Sequence, residues 1–212
     1  MKKKFKDCGN TPLGLYPIVD SFTWLEKLLP TGVTTFQLRI KNKNDIGLEN
    51  EIQKSIVLAK RYNARLFIND YWELAIFYGA YGVHLGQSDL DHADIGKICH
   101  AGLRLGLSSY CDEEVARAHA LKPSYLACGP VFPTTSKIIP FAPQGIEQLK
   151  RWQRTLDYPL VAIGGINSNN LADVIATKVN GIAIISAITQ AEDPIATTLK
   201  FLTLLKKKTP SL

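Results

Sequence analysis

The chain has 212 residues, of which 46% are hydrophobic and 21% charged, a composition that suits one globular domain with a sizeable core. The net charge is +6, but seven of the 25 basic residues stand at the two ends: Lys2, Lys3, Lys4, Lys6, Lys206, Lys207 and Lys208. The other 18 basic residues face 19 acidic ones. We therefore interpret the terminal lysines as solvated ends and expect no nucleic-acid binding.

Cysteine spacing and the N-terminal sequence bear on the compartment. None of the cysteines forms a C-x-x-C pair or stands in a zinc-binding pattern, which predicts reduced thiols in a cytoplasmic protein: Cys8, Cys99, Cys111 and Cys128. The start "MKKKFKDCGN" is not followed by an apolar run of the length of a signal peptide, so export is not expected. No run approaches the ~18 apolar residues of a membrane span.

Short β-branched runs alternate along the chain with amphipathic segments. Strands are predicted at residues 14–20, 34–40, 65–69, 82–85, 103–109, 125–129, 159–165 and 181–188. The clearest helical patterns lie at residues 48–62, 112–122, 167–180 and 193–208. Strict alternation predicts an α/β fold, a single (β/α)₈ TIM barrel over residues 14–208, with tails at 1–13 and 209–212. An open doubly wound sheet is less favoured, because "VDSFTW" lacks a glycine-rich phosphate loop.

The second predicted strand carries a row of polar side chains. In "TTFQLRIK", residues 34–41, apolar residues alternate with Gln37, Arg39 and Lys41, which would point into the barrel and up from its mouth. An uncompensated buried cation costs several kcal/mol, so this row needs anionic partners. The partner is either an extended anionic ligand or acidic residues of neighbouring strands, and the row alone favours neither.

Two carboxylates follow the next two strands. Asn69 and Asp70 end strand three, and Asp89 lies shortly after strand four. Brought together at adjacent strand ends, the two carboxylates would suit Mg²⁺, which also takes water and phosphate oxygens. The alternatives are a helix N-cap for Asp70 and a surface turn for Asp89. His84 lies inside an apolar strand, and we interpret it as structural rather than chemical.

Later strand ends predict a second anion site. Ser108 ends strand five, and the long loop at residues 129–145 contains "TTSK", either an anion cradle or a polar loop tip. Gly164 and Gly165 end strand seven, and Ser186 lies in strand eight. Barrels often bind phosphate through backbone N–H groups after these two strands. Two phosphorylated reactants, one of them a diphosphate, would fill both sites.

From about residue 15 to residue 189 the chain resembles thiamine phosphate synthase. The matching motifs are "QLRIK", "FINDYWELA", "YGVHLGQSD", "LGLSS", "GPVFPTTSK", "APQG", "VAIGGI" and "IAIISAI", in that order. The resemblance implies a (β/α)₈ barrel and a transferase that joins hydroxymethylpyrimidine diphosphate to hydroxyethylthiazole phosphate, with Mg²⁺ as cofactor. It also implies a dissociative reaction, in which diphosphate departs before the thiazole nitrogen attacks.

The resemblance assigns roles to individual residues. The implied pyrimidine diphosphate ligands are Gln37, Leu38, Arg39, Ile40, Lys41, Asn69, Ser108 and Lys137, of which Arg39, Lys41, Ser108 and Lys137 would act on the leaving group. Asp70 and Asp89 would hold Mg²⁺. The implied thiazole phosphate ligands are Thr134, Thr135, Ser136, Gly165, Ile185 and Ser186. Ser136 stands where the family often has threonine, so the hydroxyl is kept and a methyl group is lost.

Three other functions fit parts of the pattern. A related tautomerase branch would share the barrel and the thiazole phosphate site, but it has no diphosphate to expel. A phosphate-binding protein without catalysis would bind tightly and turn nothing over. A sugar-phosphate isomerase would need an acid–base pair at the ends of strands one and six, where Asp20 could serve but Cys128 is a poor partner. We expect small phosphorylated molecules as partners and allow for a homodimer.

Overall fold

Eight parallel strands close into a barrel in chain order, and a helix follows each strand. The structure is a computed structural model, which describes residues 4–42, 46–135 and 141–207. The strands are β1 (Gly14–Val19), β2 (Thr35–Leu38), β3 (Arg65–Asn69), β4 (Gly82–Leu85), β5 (Arg104–Ser109), β6 (Tyr125–Cys128), β7 (Leu160–Ile163) and β8 (Gly181–Ile184). The predicted (β/α)₈ barrel is confirmed.

The helices form the outer layer. They are α1 (Phe22–Leu28), α2 (Leu48–Arg61), α3 (Trp72–Phe77), α4 (Ile95–His100), α5 (Asp112–His119), α6 (Gly145–Thr155), α7 (Leu171–Ala176), α8 (Ser186–Thr189) and α9 (Pro194–Lys207). Two short 3₁₀ turns lie at Leu29–Thr31 and Asp89–Asp91. Within the described ranges, every helix is too short or too polar to cross a membrane.

Alternation along each strand divides the side chains between two cores. Phe36 and Leu38 pack in the large core between the strands and the helices. A smaller cluster fills the barrel itself, and its strand residues are Tyr16, Ile18, Phe67, Tyr125, Ala127, Val161 and Ala183. Gln37 lies between Phe36 and Leu38 in β2 and is also buried, so it faces the barrel interior, as predicted.

Three strands end two or more residues before their predicted ends. β2 ends at Leu38, although the N–H of Arg39 still donates to the Val19 carbonyl at 2.7 Å. β7 ends before Gly164 and Gly165, whose φ values of 99° and 65° leave the β region. The predicted strand 181–188 divides into β8 and the short helix α8. Most of the residues lost from these strands line the cavities at this end of the barrel.

The N-terminal segment, residues 4–13, covers the opposite end of the barrel. Phe5, Cys8 and Leu13 are buried, whereas Lys4 and Lys6 are exposed. The side chains of Lys4 and Lys6 are therefore solvated, as predicted. The backbone of this segment is not, because it is packed against the barrel. Buried apolar residues spaced along the segment keep it packed against the barrel.

Arg65 joins this segment to the barrel wall. It is the first residue of β3, is only 8% exposed, and donates to the carbonyls of Cys8, Thr11 and Pro12 at 3.3, 3.0 and 2.7 Å. Its Nε donates to the Thr35 hydroxyl at 3.0 Å. Neutral oxygens thus satisfy this buried guanidinium, and none of the carboxylates in the described ranges forms an ion pair with it.

Candidate functional site

Three adjoining cavities open where the carboxyl ends of the strands meet. The central cavity, of about 120 Å³, is lined by residues from all eight strands or the turns that follow them, from Ile18 to Ser186. The outer cavity, about 530 Å³, lies among residues 133–135, 165–167, 186–187 and 190–191. The lateral cavity, about 210 Å³, lies beside β1 and β2. Ser186 lines all three, so they form one continuous mouth.

The polar row of β2 lies along one side of this mouth. Gln37 is 3% exposed and lines the central cavity. Arg39 is half-buried and lines the central and lateral cavities, and exposed Lys41 lines the lateral one. The five ion pairs in the described ranges all involve other residues, so neither cation is neutralised by a described carboxylate. Internal pairing, the alternative to a ligand, is not supported there.

Leu38 and Ile40, the apolar residues within that row, face away from the mouth. Leu38 is 1% exposed in the core under the helices, and Ile40 packs against the same core. The carbonyl of Ile40 accepts a hydrogen bond from the Tyr71 hydroxyl at 3.0 Å. Any contact of these two residues with a ligand would therefore be made by the main chain.

Asp70 reaches the central cavity through an unusual backbone conformation. Its φ of 64° lies in the left-handed region, which asparagine and aspartate tolerate better than other side chains with a Cβ. Its N–H donates to the His84 carbonyl at 3.1 Å, and both Asn69 and Asp70 line the cavity. Helix α3 is capped instead at Tyr71, without a side-chain hydrogen bond, so Asp70 is not the N-cap of this helix.

Asp89 lines the same cavity from the turn after β4. Its Oδ2 accepts a hydrogen bond from the N–H of Gly86 at 2.9 Å, which fixes the carboxylate at the rim. Two carboxylates beside open space suit Mg²⁺, which commonly takes one or two protein carboxylates and completes its shell with water and phosphate oxygens. Among the described residues, no group of three or more His, Cys, Asp or Glu is arranged to hold a metal. The residues therefore fit a metal that shares its ligands with a substrate.

Ser108 and His84 form a hydrogen-bonded pair on the cavity wall. The His84 Nε2 and the Ser108 Oγ are 2.8 Å apart, and both residues line the central cavity. His84 is 5% exposed, and its Nδ1 lies 2.7 Å from the Tyr125 hydroxyl. The sequence interpretation of His84 as purely structural missed this contact. The sequence does contain a signal for it. Alternate residues of a strand face the same side, and His84 lies two residues after Gly82, which faces the barrel interior.

Tyr110 is a second cavity residue that the sequence did not single out. It follows β5 directly, and its ring stacks on Phe141 with centroids 5.9 Å apart and planes 26° apart. Phe141 lies at the far end of the long loop after β6, so this contact connects the loop with the β5 side of the mouth. Both residues are aromatic, whereas the other candidates were identified by charged, amide, hydroxyl or glycine residues at strand ends.

The long loop after β6 is closed at its base. The N–H of Val131 donates to the Ile163 carbonyl at 2.9 Å, and residues 144–145 return to bond residues 130–131 at 2.7 and 3.0 Å. Residues 130–131 and 144–145 therefore form a fixed neck beside the end of β7.

The hydroxyl residues of that loop reach the mouth in its described part. Thr134 lines the central and outer cavities, and Thr135 lines the outer cavity. The predicted ligands Ser136 and Lys137 lie outside the described residues. The threonines thus stand between the two cavities that the two predicted anions would occupy.

Gly165 fits the loop neck because no larger residue can take its place. A Cβ on Gly165 would lie 2.4 Å from the Pro133 carbonyl oxygen, and one on Gly164 would lie 2.5 Å from the Pro130 Cβ. The side-chain amide of Asn170 donates to the Gly165 carbonyl at 3.0 Å and fixes the turn. Glycine here permits the close approach of two backbone segments.

Ile185 and Ser186 complete the mouth on the β8 side. Ile185 is the N-cap of α8, and Ser186 is its first residue. The first N–H groups of a helix have no partner inside the helix and attract anions. The outer cavity is thus a neutral site built from backbone and hydroxyl groups, unlike the cationic β2 side.

Cations on one side, neutral donors on the other and two carboxylates between them define a (β/α)₈-barrel enzyme with an anion-binding mouth. Similarity to known proteins identifies the family. A sequence profile of the thiamine monophosphate synthase family matches residues 15–188. The chain belongs to this family, whose members are transferases of thiamine biosynthesis.

Individual relatives agree with that assignment. The thiamine-phosphate synthase of Photorhabdus laumondii is 58% identical over 182 residues, 85% of this chain and 84% of that protein. The corresponding protein of Serratia proteamaculans is 56% identical over 197 residues, which cover 92% and 93% of the two chains. The solved thiamine phosphate pyrophosphorylase of Pyrococcus furiosus is 32% identical, covers 92% of this chain and 96% of its own, and superposes with a TM-score of 0.77.

Proposed function

We propose that the chain joins 4-amino-2-methyl-5-hydroxymethylpyrimidine diphosphate to 4-methyl-5-(2-hydroxyethyl)thiazole phosphate and releases thiamine phosphate and diphosphate. With the carboxylated form of the thiazole phosphate, the carboxyl group would also leave as carbon dioxide. The bond between the pyrimidine methylene carbon and the diphosphate oxygen breaks first, and its electron pair leaves with diphosphate. The lone pair of the thiazole nitrogen then captures the carbocation. No protein nucleophile takes part, so the site acts through positioning and charge.

The observation that carries this proposal is Arg39, which forms no ion pair with a carboxylate of the described ranges and lies on the wall of a cavity that Asp70 and Asp89 also line. A leaving diphosphate gains negative charge as the carbon–oxygen bond breaks. A cation that no protein carboxylate occupies can meet that charge, and it acts more strongly in a partly enclosed site than in water. Lys41 supports the same role from the lateral cavity.

The other predicted ligands divide between the two substrates. Asn69 and Ser108, on the central cavity wall, would bind the pyrimidine diphosphate. Asp70 and Asp89 would hold Mg²⁺, which supplies positive charge to the departing diphosphate when bound. The outer cavity, with its hydroxyl and backbone donors, would bind the thiazole phosphate. Because both cavities share Ser186, the two substrates would lie side by side.

The test is to incubate the purified protein with both substrates and Mg²⁺, and to measure diphosphate with a coupled assay and thiamine phosphate by fluorescence after oxidation. We expect the two products in equal amounts. A protein that isomerises a thiazole precursor but releases no diphosphate would be a tautomerase. Tight binding of both substrates without either product would identify a binding protein instead, and either result would contradict the proposal.

A further inference from the structure

A line of hydrogen bonds crosses the barrel interior and ends at the central cavity. The hydroxyls of Tyr16 and Tyr125 are 2.8 Å apart, the Tyr125 hydroxyl lies 2.7 Å from the His84 Nδ1, and the His84 Nε2 lies 2.8 Å from the Ser108 Oγ. Four different strands, β1, β6, β4 and β5, contribute these residues. Tyr16, Tyr125 and His84 are at most 5% exposed, whereas Ser108, which lines the central cavity beside His84, is half-buried.

Strand register holds this line in place. His84 is paired with Gly106 across β4 and β5, and Gly106 is paired with Tyr125 across β5 and β6. A Cβ on Gly106 would lie 2.1 Å from the Tyr125 Cζ, so the tyrosine ring reaches His84 only because glycine stands between them. The His84 and Tyr125 rings stack at 5.7 Å, and Phe67 meets Tyr125 edge-on at 5.0 Å. The ring orientations are therefore fixed by packing.

The direction of the protons in this line decides what Ser108 offers to a ligand. A neutral imidazole carries one N–H, and its other nitrogen accepts. If the proton is on Nε2, His84 donates to the Ser108 oxygen, and the serine hydroxyl proton is free to point into the cavity. If the proton is on Nδ1, Ser108 donates to His84 and turns lone pairs toward the cavity. An anionic ligand needs the first arrangement.

Both tyrosines of this line keep their protons. Burial raises the pKa of Tyr16 and of Tyr125 well above the ordinary value, so each hydroxyl has one proton to donate. The line can therefore run in two directions, with Tyr125 donating to the His84 Nδ1 or accepting from it.

In the forward direction Tyr16 donates to Tyr125, Tyr125 donates to the His84 Nδ1, and the imidazole proton is on Nε2. In the reverse direction the imidazole proton is on Nδ1, and the Ser108 hydroxyl proton points to the imidazole instead of the cavity. An anion in the central cavity selects the forward direction, because a hydrogen bond to the ligand needs the serine proton.

We propose that His84 is a positioning residue that carries its proton on Nε2 and thereby holds the Ser108 hydroxyl as a hydrogen-bond donor to the leaving diphosphate. The acceptor and the direction of the protons both rest on the proposed function, whereas the hydrogen-bonded line itself is a property of the protein groups alone. Tyr16 and Tyr125 act through His84.

The first test reads the tautomer directly by long-range ¹H–¹⁵N NMR of ¹⁵N-histidine-labelled protein. The other three histidines are exposed and lie away from the mouth, so a variant with a single histidine is made by substituting asparagine for His92, His100 and His119. This variant should keep wild-type turnover. We expect a neutral His84 protonated on Nε2, and a mixture of tautomers after Tyr125→Phe. Protonation on Nδ1, or on both nitrogens at pH 7, would overturn the proposal.

The second test separates positioning from mere packing. Glutamine can place an amide N–H near the Nε2 position, whereas the shorter asparagine reaches only the Nδ1 position. We expect His84→Asn to lower kcat about 30-fold and His84→Gln only about threefold, with the KM for thiazole phosphate unchanged. In a Ser108→Ala background, itself about 100-fold slower, His84→Asn should add less than about twofold.

Two outcomes of this double-mutant cycle would overturn the inference. One is a double variant of His84→Asn and Ser108→Ala whose loss of kcat equals the product of the two single losses. The other is equal activity of His84→Gln and His84→Asn. Near-UV circular dichroism checks that each variant is folded, and Tyr125→Phe replaces the His84 variants in the cycle if neither folds. If the wild-type protein released no diphosphate, the proposed function would fail. The tautomer measurement would still decide the proton arrangement.

Discussion

Replacing Arg39 by alanine tests the electrostatic account of the reaction most directly. Arg39 lines the central cavity and has no ion-pair partner among the described carboxylates, so its charge is available to a ligand. At an effective dielectric constant of about 20 and a separation of about 4 Å, it would attract one unit of negative charge by about 4 kcal/mol. Because Arg39 is half-buried, screening reduces this to about 3 kcal/mol, or about two orders of magnitude in kcat/KM.

The assay measures thiamine phosphate formation and diphosphate release, with calorimetry of thiazole phosphate binding alongside. Arg39→Ala should lose about 100-fold in kcat/KM while thiazole phosphate binds normally, because Arg39 does not line the outer cavity. Arg39→Lys, which keeps the charge but loses the planar fork, should lose about tenfold. Arg61→Ala, at an exposed position of α2, is the matched control. Turnover of Arg39→Ala within threefold of the control would refute the reasoning.

Three further predictions concern the mouth and the closed end. Gly164→Ala should lower the free energy of unfolding in urea by about 2 kcal/mol and weaken thiazole phosphate binding, because its Cβ would lie 2.5 Å from Pro130; unchanged stability would contradict this. Asp70→Asn keeps a residue that tolerates the left-handed conformation but removes the carboxylate charge. The Mg²⁺ concentration for half-maximal turnover should therefore rise about tenfold. Full turnover of the wild-type protein in excess chelator would rule out the metal role. Arg65→Met should cost about 3 kcal/mol of stability in urea with little change in kcat, since it strands the carbonyls of residues 4–13; a drop in kcat alone would refute this.

The alternation of short apolar runs with amphipathic segments was sufficient to predict the barrel, because the strands are buried on both faces whereas each helix buries one face. It failed at strand ends for a physical reason. Ile185 and Ile188 look like continuing strand residues, yet the chain turns into α8 at Ser186. The same residue types are favoured in a strand and in a short buried helix, and only the position of the barrel rim distinguishes them. The mouth lies at that rim, so boundary errors concentrate there.

Residue type and strand-end position were enough to bring Gln37, Arg39, Asn69, Asp70 and Ser108 into one cavity. The line from Tyr16 to Ser108 was beyond the same reasoning. The alternation of side chains along each strand indicates that the residues of this line face inward. Which hydroxyl contacts which nitrogen depends on how far neighbouring strands are shifted relative to one another. That shift is set by the closed sheet as a whole. Gly106, which makes room for the Tyr125 ring, is informative only after the register is known.

Two arginines on neighbouring strands show why charge alone does not identify a functional residue. Arg65, at the start of β3, is buried, and its guanidinium already donates to fixed carbonyl and hydroxyl oxygens, so it has little left to offer a ligand. Arg39, just after β2, is half-buried and has no described carboxylate partner. A cation partly in water costs little to keep and gains most when an anion arrives. Satisfied donors mark Arg65 as structural, and the position of Arg39 at the rim, without a described carboxylate partner, is the reason to propose that it acts on a substrate.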